Sequence, residues 1–358
     1  MQITKYFKHK KVMDENIIEI AVARYYREYD RYKKLADLVY LICNEIVQKK
    51  LTIRATVQRR AKDPNSFQEK LRKHKTLTTV DEVFDQISDL AGVRIITYLE
   101  SDREKVVEEI RQAFIGKDKG NQPIIKAKDK SEKGKHYRAT HCQVYLPDEY
   151  LIGENENLKN TTCEIQVCSL LAHVYNEIEH DLQYKPLSGI ISEQELELLD
   201  QLGLITKSGD TTIKRLLEAT DERLKERTGD FDDVHDFVIR MREELKGEST
   251  FANNAGELYE ELLLLKLTSP QTINKALISH GEILKQVAEI EYNKLKKYII
   301  DNNIDITLDD NSSDILLLAL LRKKVNTIIA NHPIGRGKRR PSRLLQIAIV
   351  YKEMVESV

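Results

Sequence analysis

The chain has 358 residues, 41% hydrophobic and 32% charged, with a formal net charge of -1. That is enough apolar material for about two packed domains, and it excludes a global electrostatic pull toward nucleic acid or membrane. No apolar run reaches the ~20 residues of a membrane span, and the basic start, Met1–Lys11, lacks the apolar core of a signal peptide. The four cysteines, Cys43, Cys142, Cys163 and Cys168, form neither a Cys-x-x-Cys pair nor a zinc spacing. The expectation is a cytoplasmic protein with no membrane partner and with buried free thiols.

In chain order, Asp14 predicts an N-cap for a helix from Glu15, and apolar spacing from Ile18 to Val47 continues it, as one long helix or two in tandem, to about Lys50. Its tyrosines, Tyr25, Tyr29 and Tyr32, read as packing residues rather than a base platform. Leu51–Val57 reads as a short strand. A basic turn, Arg59–Lys75, follows; Pro64 breaks it, and Ser66 with Glu69 makes a capping box for a helix from Phe67. A strand, a basic turn and a helix N-terminus in that order suit a polyphosphate, because free N–H groups and cations converge there.

Val80–Ser88 reads as a helix, and Asp89–Leu99 as a helix end feeding a buried strand. Asp89 stands at the mouth of that strand. Arg94 stands inside it, where a charge needs an anionic partner. Asp102–Phe114 is a helix, and Gly116–Lys135 a lysine-rich polar loop. His136-Tyr137-Arg138-Ala139-Thr140-His141 then leads into a strand, Cys142–Leu146. A second strand, Thr161–Val167, places Glu164 and Gln166 on one face. A carboxylate on a strand otherwise built for burial requires a partner, a metal or a reaction.

Ser169–Tyr184 reads as a helix whose His173, Glu177 and His180 have metal-ligand spacing without the usual metalloprotease order. From Ile191 the pattern is all helix. Ser192 and Glu195 form a capping box, and helices follow at Thr211–Glu226, Phe231–Leu245, Leu258–Leu267, Pro270–Ile300 with a break at Gly281, Ile315–Ala330 and Ser342–Met354. Arg336, Lys338, Arg339, Arg340 and Arg343 form a basic cluster that is a candidate nucleic-acid contact, although solvated charge runs are commoner.

The first half thus carries two strand-borne carboxylates, Asp89 and Glu164, two lysine-rich segments and a Tyr-Arg-x-x-His strand entry. Carboxylates suit Mg2+, cations suit a di- or triphosphate, and Tyr137 offers a flat face to a base. There is no Gly-x4-Gly-Lys-Ser/Thr loop and no kinase signature, so the pattern points to metal-assisted transfer from a nucleoside triphosphate on another scaffold.

These residues resemble the RelA/SpoT synthetase domain of alarmone synthetases, over about Tyr25 to Pro186. Arg60, Lys62, Ser66 and Lys70 match its Arg-x-Lys-x3-Ser-x3-Lys motif, and Asp89, Leu90, Gly92 and Arg94 match Asp-Leu-x-Gly-x-Arg. Tyr137, Arg138 and His141 match Gly-Tyr-Arg-Ser-x-His, and Glu164 to Val167 match Glu-Ile-Gln-Ile. Glu179, His180, Leu182, Tyr184 and Lys185 match the closing helix of small synthetases.

The resemblance implies an α+β fold with a nucleotidyltransferase-like mixed β-sheet flanked by helices (residues 1–188), and the helical pattern from Ile191 adds an all-α C-terminal region (residues 189–358). It implies that Arg60, Lys62, Ser66, Lys70 and Arg94 bind ATP and that Asp89 and Glu164 hold Mg2+ and act in catalysis. Tyr137, Arg138, His141, Gln166, Lys126 and Lys133 would bind the acceptor. The implied reaction moves pyrophosphate from ATP to the ribose 3′-hydroxyl of GDP or GTP.

The departures lie in the acceptor half. His136 replaces the glycine before the tyrosine, Cys168 replaces an arginine, and the Asp-Tyr-Ile-x-x-Pro-Lys segment is missing. The 3′ end of tRNA, the acceptor of toxic small relatives, is therefore a second expectation, and an RNA- or protein-binding pseudoenzyme a third. With no room for the hydrolase domain of long family members, no alarmone hydrolysis is expected. The helical half is open to homo-oligomerisation, to a protein partner or to inhibition in cis.

Overall fold

The computed structural model describes residues 13–73, 77–117, 121–130, 132–184, 191–247, 249–332 and 341–357. The chain divides into two compact units. One runs through Asn44 and resumes at Ala55–Thr211; the other comprises Glu45–Arg54 and the chain from Thr212 onward. The boundary expected between 188 and 189 lies outside the described residues, as do Met1–Lys11, Lys75, Lys119, Lys185, Pro186 and residues 336–340 of the basic cluster.

The first unit begins with α1 (Glu15–Glu45), where the Asp14 carboxylate accepts from the Asn16 N–H at 2.9 Å, as the cap reading expects. The helix runs into a π-helical turn, Ile46–Lys50. The next strand, β1 (Ala55–Ala61), starts four residues later than its pattern suggested, and Arg59 and Arg60 lie on it rather than in a turn. Leu51 and Ile53, whose apolarity set the earlier reading, are buried as part of the second unit.

The following helix, α2 (Pro64–Lys73), starts at Pro64 instead of Phe67. Its cap is Asp63, whose Oδ1 accepts from the Ser66 N–H at 2.9 Å, so Ser66 is inside the helix. Proline at the first helical position loses no hydrogen bond, which is why the break expected at Pro64 is a start. Then come α3 (Val80–Gln86), with a Thr79–Glu82 capping box, β2 (Ala91–Thr97) and α4 (Asp102–Ala113). The lysine-rich segment contains an unexpected strand, β3 (Ile124–Asp129), and then β4 (Arg138–Val144), β5 (Cys163–Ser169) and α5 (Leu170–Tyr184) follow. Two expected helices are one, α6 (Glu193–Lys225), opened by the Ser192–Glu195 box; its first turns belong to this unit.

The strands form one mixed sheet in the order β1-β2-β5-β4-β3, parallel only between β2 and β5. The alternation of half-buried and buried positions on β2 and β5 assigns the two faces. Val93, Ile95, Ile165, Val167, Cys142 and Val144 lie buried on one face. On that side α1 provides Tyr40, under the Arg59 guanidinium at 4.3 Å, and Asp37, paired with it. The register places Gln58, Arg60, Gly92, Arg94, Glu164, Gln166, His141, Lys126 and Lys128 together on the other face. The expected α+β sheet and helical continuation are both present.

The second unit is all helix: α7 (Val234–Leu245), α8 (Ala255–Leu264), α9 (Pro270–Leu277), α10 (Leu284–Asp301), α11 (Asp314–Asn331) and α12 (Arg343–Glu356). Leu316 to Leu321 of α11 are all buried, and a helical stretch apolar on every side takes the centre of such a bundle. Gly256 permits a close approach, since a Cβ there would lie 2.3 Å from the Gln48 carbonyl oxygen. Arg343, read as part of a surface cluster, is paired instead with the buried Asp314, at 2.7 Å from its Oδ1.

Candidate active site

Two carboxylates from neighbouring strands open onto one cleft on the polar face, whose walls include Gln58, Arg60, Arg94 and Gln166. Asp89 sits just before β2. Lys62, at the end of β1, is 2.9 Å from its Oδ2, and Lys70, on α2, is 2.9 Å from its Oδ1. Burial by itself would raise the Asp89 carboxyl, but Lys70 and Lys62 outweigh it and hold it below its ordinary value.

Buried Tyr25 of α1 locks this corner. Its hydroxyl donates to the Lys62 carbonyl at 2.7 Å and lies 3.3 Å from that of Leu90. Its ring packs on Phe67 of α2, with centroids 5.0 Å apart. Of the other residues expected at ATP, Arg60 is exposed and makes no ion pair among the described residues, and the Ser66 hydroxyl is at the surface. Arg94 lines the cleft but is held by Glu177 of α5 at 2.9 Å, with His173 at 3.5 Å. Two members of the expected His-Glu-His stripe are thus engaged with an arginine.

Glu164, on β5, is enclosed by donors. Gln166 donates to its Oε1 at 2.8 Å, His141 Nδ1 lies 3.2 Å from the same oxygen, and the Ser88 hydroxyl donates to Oε2 at 3.3 Å. Burial pushes this carboxyl up, but the hydrogen bonds from His141 and Gln166, with the charges of His141 and Lys128, bring it down to about 2. Such a group is ionised at any working pH. It suits metal binding or acceptance of a hydrogen bond better than strong basicity.

A carboxylate with a depressed folded pKa stabilises the fold above its unfolded value, about 4.3. The contribution is lost as pH falls through the folded value of about 2. The shift corresponds to about 3 kcal/mol. In metal-free buffer, the difference in urea-unfolding free energy between wild type and Glu164→Gln is therefore expected to be widest above about pH 5 and to close toward pH 2. A pH-independent difference would contradict this assignment.

The acceptor candidates divide. The Tyr137 hydroxyl lies 2.7 Å from His141 Nε2, so Tyr137, His141 and Glu164 form one chain of hydrogen bonds. Burial raises the Tyr137 phenol, keeping it protonated. Lys128, missed by sequence reasoning, is 3.2 Å from His141 Nδ1. Lys126 shares the polar face through its pairing with His141, and Lys133 is exposed in the β3–β4 turn. Arg138 alternates with His141 and so belongs to the opposite face, where it pairs with Asp210 of α6 at 2.8 Å. Strand parity alone gives that placement.

Among the described residues no group of three or more His, Cys, Asp or Glu side chains is arranged to hold a metal ion, and no helix is long and apolar enough to cross a membrane. Asp89 and Glu164 nevertheless fit Mg2+: they are ionised oxygen donors on one cleft, and this ion usually takes its remaining ligands from phosphate and water.

Residues 59–188 match the family described as the region found in RelA / SpoT proteins. The chain is 28% identical over 128 residues to GTP pyrophosphokinase YwaC of Bacillus subtilis (strain 168), covering 35% of this chain and 56% of that relative. Among solved structures, small alarmone synthetase 1 from Bacillus subtilis aligns with 56% of this chain and 99% of its own, at 24% identity and a TM-score of 0.44. A GTP pyrophosphokinase family protein from Streptococcus pneumoniae aligns with 56% and 96%, at 21% identity and a TM-score of 0.43. Residues 59–188 of this chain thus resemble the region found in RelA / SpoT proteins, and helices follow that region along the chain.

Proposed function

We propose that this protein transfers the β,γ-pyrophosphate of ATP to the ribose 3′-hydroxyl of GDP or GTP, making (p)ppGpp-type alarmones. Residues 1–188 would do the chemistry, and 189–358 would regulate it or engage a partner, a second copy of the chain included. The observation that carries the reading is one cleft with two ionised carboxylates, Asp89 backed by two lysines and Glu164 backed by a histidine–tyrosine chain. The relative named GTP pyrophosphokinase supports the same acceptor class.

In this reading the triphosphate takes Lys62 and Lys70 from Asp89, while Arg60, Arg94 and Ser66 border it. Tyr137 stacks on the acceptor base, and His141, Gln166, Lys126 and Lys133 bind the acceptor; Arg138, turned to Asp210, supports the strand. The 3′-hydroxyl donates a hydrogen bond to Glu164 directly or through water, its oxygen attacks the β-phosphorus, its proton leaves to solvent, and the bond to the α,β-bridging oxygen breaks, releasing AMP. Mg2+, held by Asp89 and Glu164, supplies neutralisation of phosphate charge when bound. Positioning and fixed charge contribute most of the rate in such transfers.

The tRNA 3′ end is a second acceptor, favoured by one observation: Lys126, Lys128 and Lys130 are exposed along β3 and just beyond it, a cationic edge suited to a polynucleotide backbone. That product would inhibit translation, and a toxic activity of this kind would call for control by the C-terminal region.

One experiment tests both. The full-length protein is incubated with γ-labelled ATP and Mg2+, together with GDP, GTP or bulk tRNA. Label in a guanosine product with equimolar AMP supports the first reading, and label in tRNA the second. Absence of AMP with every acceptor, alongside salt-sensitive RNA binding, overturns both in favour of a binding protein.

A further inference from the structure

The segment leading into Tyr137 is held by a helix that lies outside the sheet. Asp200 of α6 accepts from the Gly134 N–H at 2.8 Å, and the same oxygen is 2.8 Å from His136 Nε2. The Tyr175 hydroxyl of α5 accepts from the His136 N–H at 2.9 Å and donates to the Gly134 carbonyl at 3.2 Å. Gly134 has φ +69, the left-handed region open to glycine, and the Leu196 side chain of α6 lies over it. Gly203, one turn beyond Asp200, makes room for the imidazole: a Cβ there would lie 2.2 Å from His136 Cδ2. On the other side of Tyr137, Arg138 pairs with Asp210 of the same helix. Both neighbours of Tyr137 are thus anchored to α6.

His136 is also where this chain departs from the glycine of the family motif. A glycine at 136 would have no side chain to meet Asp200 and would leave Gly203 without purpose. The imidazole, the carboxylate facing it and the missing side chain at 203 form one fitted set. The backbone N–H of Gly134 and then His136 hold the Asp200 carboxyl below its ordinary value, so it meets them as an anion, and such hydrogen bonds are the stronger kind.

We propose that Asp200 is a positioning residue for the acceptor: through His136 and Gly134 it sets where Tyr137 presents its ring, and so how tightly the acceptor base is held. The ATP side is separate from it: among the described residues no hydrogen bond or ion pair joins Lys62, Lys70 or Asp89 to this set. The proposal rests on the pyrophosphotransferase reading.

The test uses full-length protein, labelled ATP and whichever of GDP, GTP or tRNA the wild type accepts. Asp200→Ala removes both charge-assisted hydrogen bonds, to Gly134 and His136, and is expected to raise the acceptor KM about tenfold or more, with the ATP KM unchanged. Asp200→Asn keeps an oxygen for the Gly134 N–H and should recover part of the loss.

A second pair leaves Asp200 in place. Gly203→Ala pushes a methyl into the imidazole and raises the acceptor KM, whereas the same change is silent in a His136→Gly background, a non-additivity expected of side chains in contact. An unmoved acceptor KM, a parallel rise in both KM values, or additive effects of Gly203→Ala and His136→Gly would overturn the positioning role. If the wild type releases no AMP with any acceptor, the underlying reading fails instead, and the proposal fails with it.

Discussion

In the proposed transfer, Glu164→Gln is expected to lower AMP release by about 10²–10³-fold or more while the protein stays folded. The amide preserves shape and can still meet Ser88, Gln166 and His141, so the cleft is not emptied. What it loses is the fixed negative charge at the end of the Tyr137–His141 chain and, in the proposed reaction, a metal ligand and the acceptor for the hydroxyl hydrogen. Single-turnover release of labelled AMP measures the effect, and far-UV circular dichroism checks the fold. Wild-type turnover in the variant would remove Glu164 from the chemistry. Because the carboxyl titrates near 2, the wild-type rate profile between about pH 5 and pH 8 should carry no ionisation from it.

Asp89→Asn should have a comparable effect on turnover, about 10²-fold or more, with a different signature in binding. The carboxylate is now the shared partner of Lys62 and Lys70. A neutral amide leaves two ammonium groups facing each other across it, and an incoming triphosphate relieves that repulsion. The ATP KM should therefore stay level or fall while kcat drops. A raised ATP KM at unchanged kcat would mean that Asp89 serves only to organise the lysines. Initial rates across an ATP titration, at saturating acceptor, separate the two.

The parts that were legible share a short-range origin. Glu164 and Gln166 on one face follow from period two along a strand, and Asp89 at a strand mouth follows from the apolar run after it. The caps at Asp14 and Ser192 are local hydrogen bonds between residues two or three apart. Errors arose where a local cue had two readings. Ser66 and Asp63 are both cap residues, and Pro64 decides between them because proline fits the first turn. The helix opened at Ser192 and the one expected at Thr211–Glu226 are a single helix, in which Gly203 and Gly209 lie where His136 and Leu171 press against it. The β3 strand was invisible because an edge strand facing solvent carries lysines where an inner strand carries valines.

The sequence by itself determined which chemical groups are present, on which elements and on which strand faces: two carboxylates, the lysines of the β1–α2 corner and the Tyr137–His141 pair. Only the tertiary structure decided the partners. Lys62 meets Asp89 across 27 residues of chain and His136 meets Asp200 across 64, and neither distance leaves a periodic trace. A charge is assigned its counter-charge by the packing of whole elements. For that reason Arg138, next to Tyr137 in a motif suited to binding a substrate, is turned to an aspartate on a helix that motif reading had left unassigned.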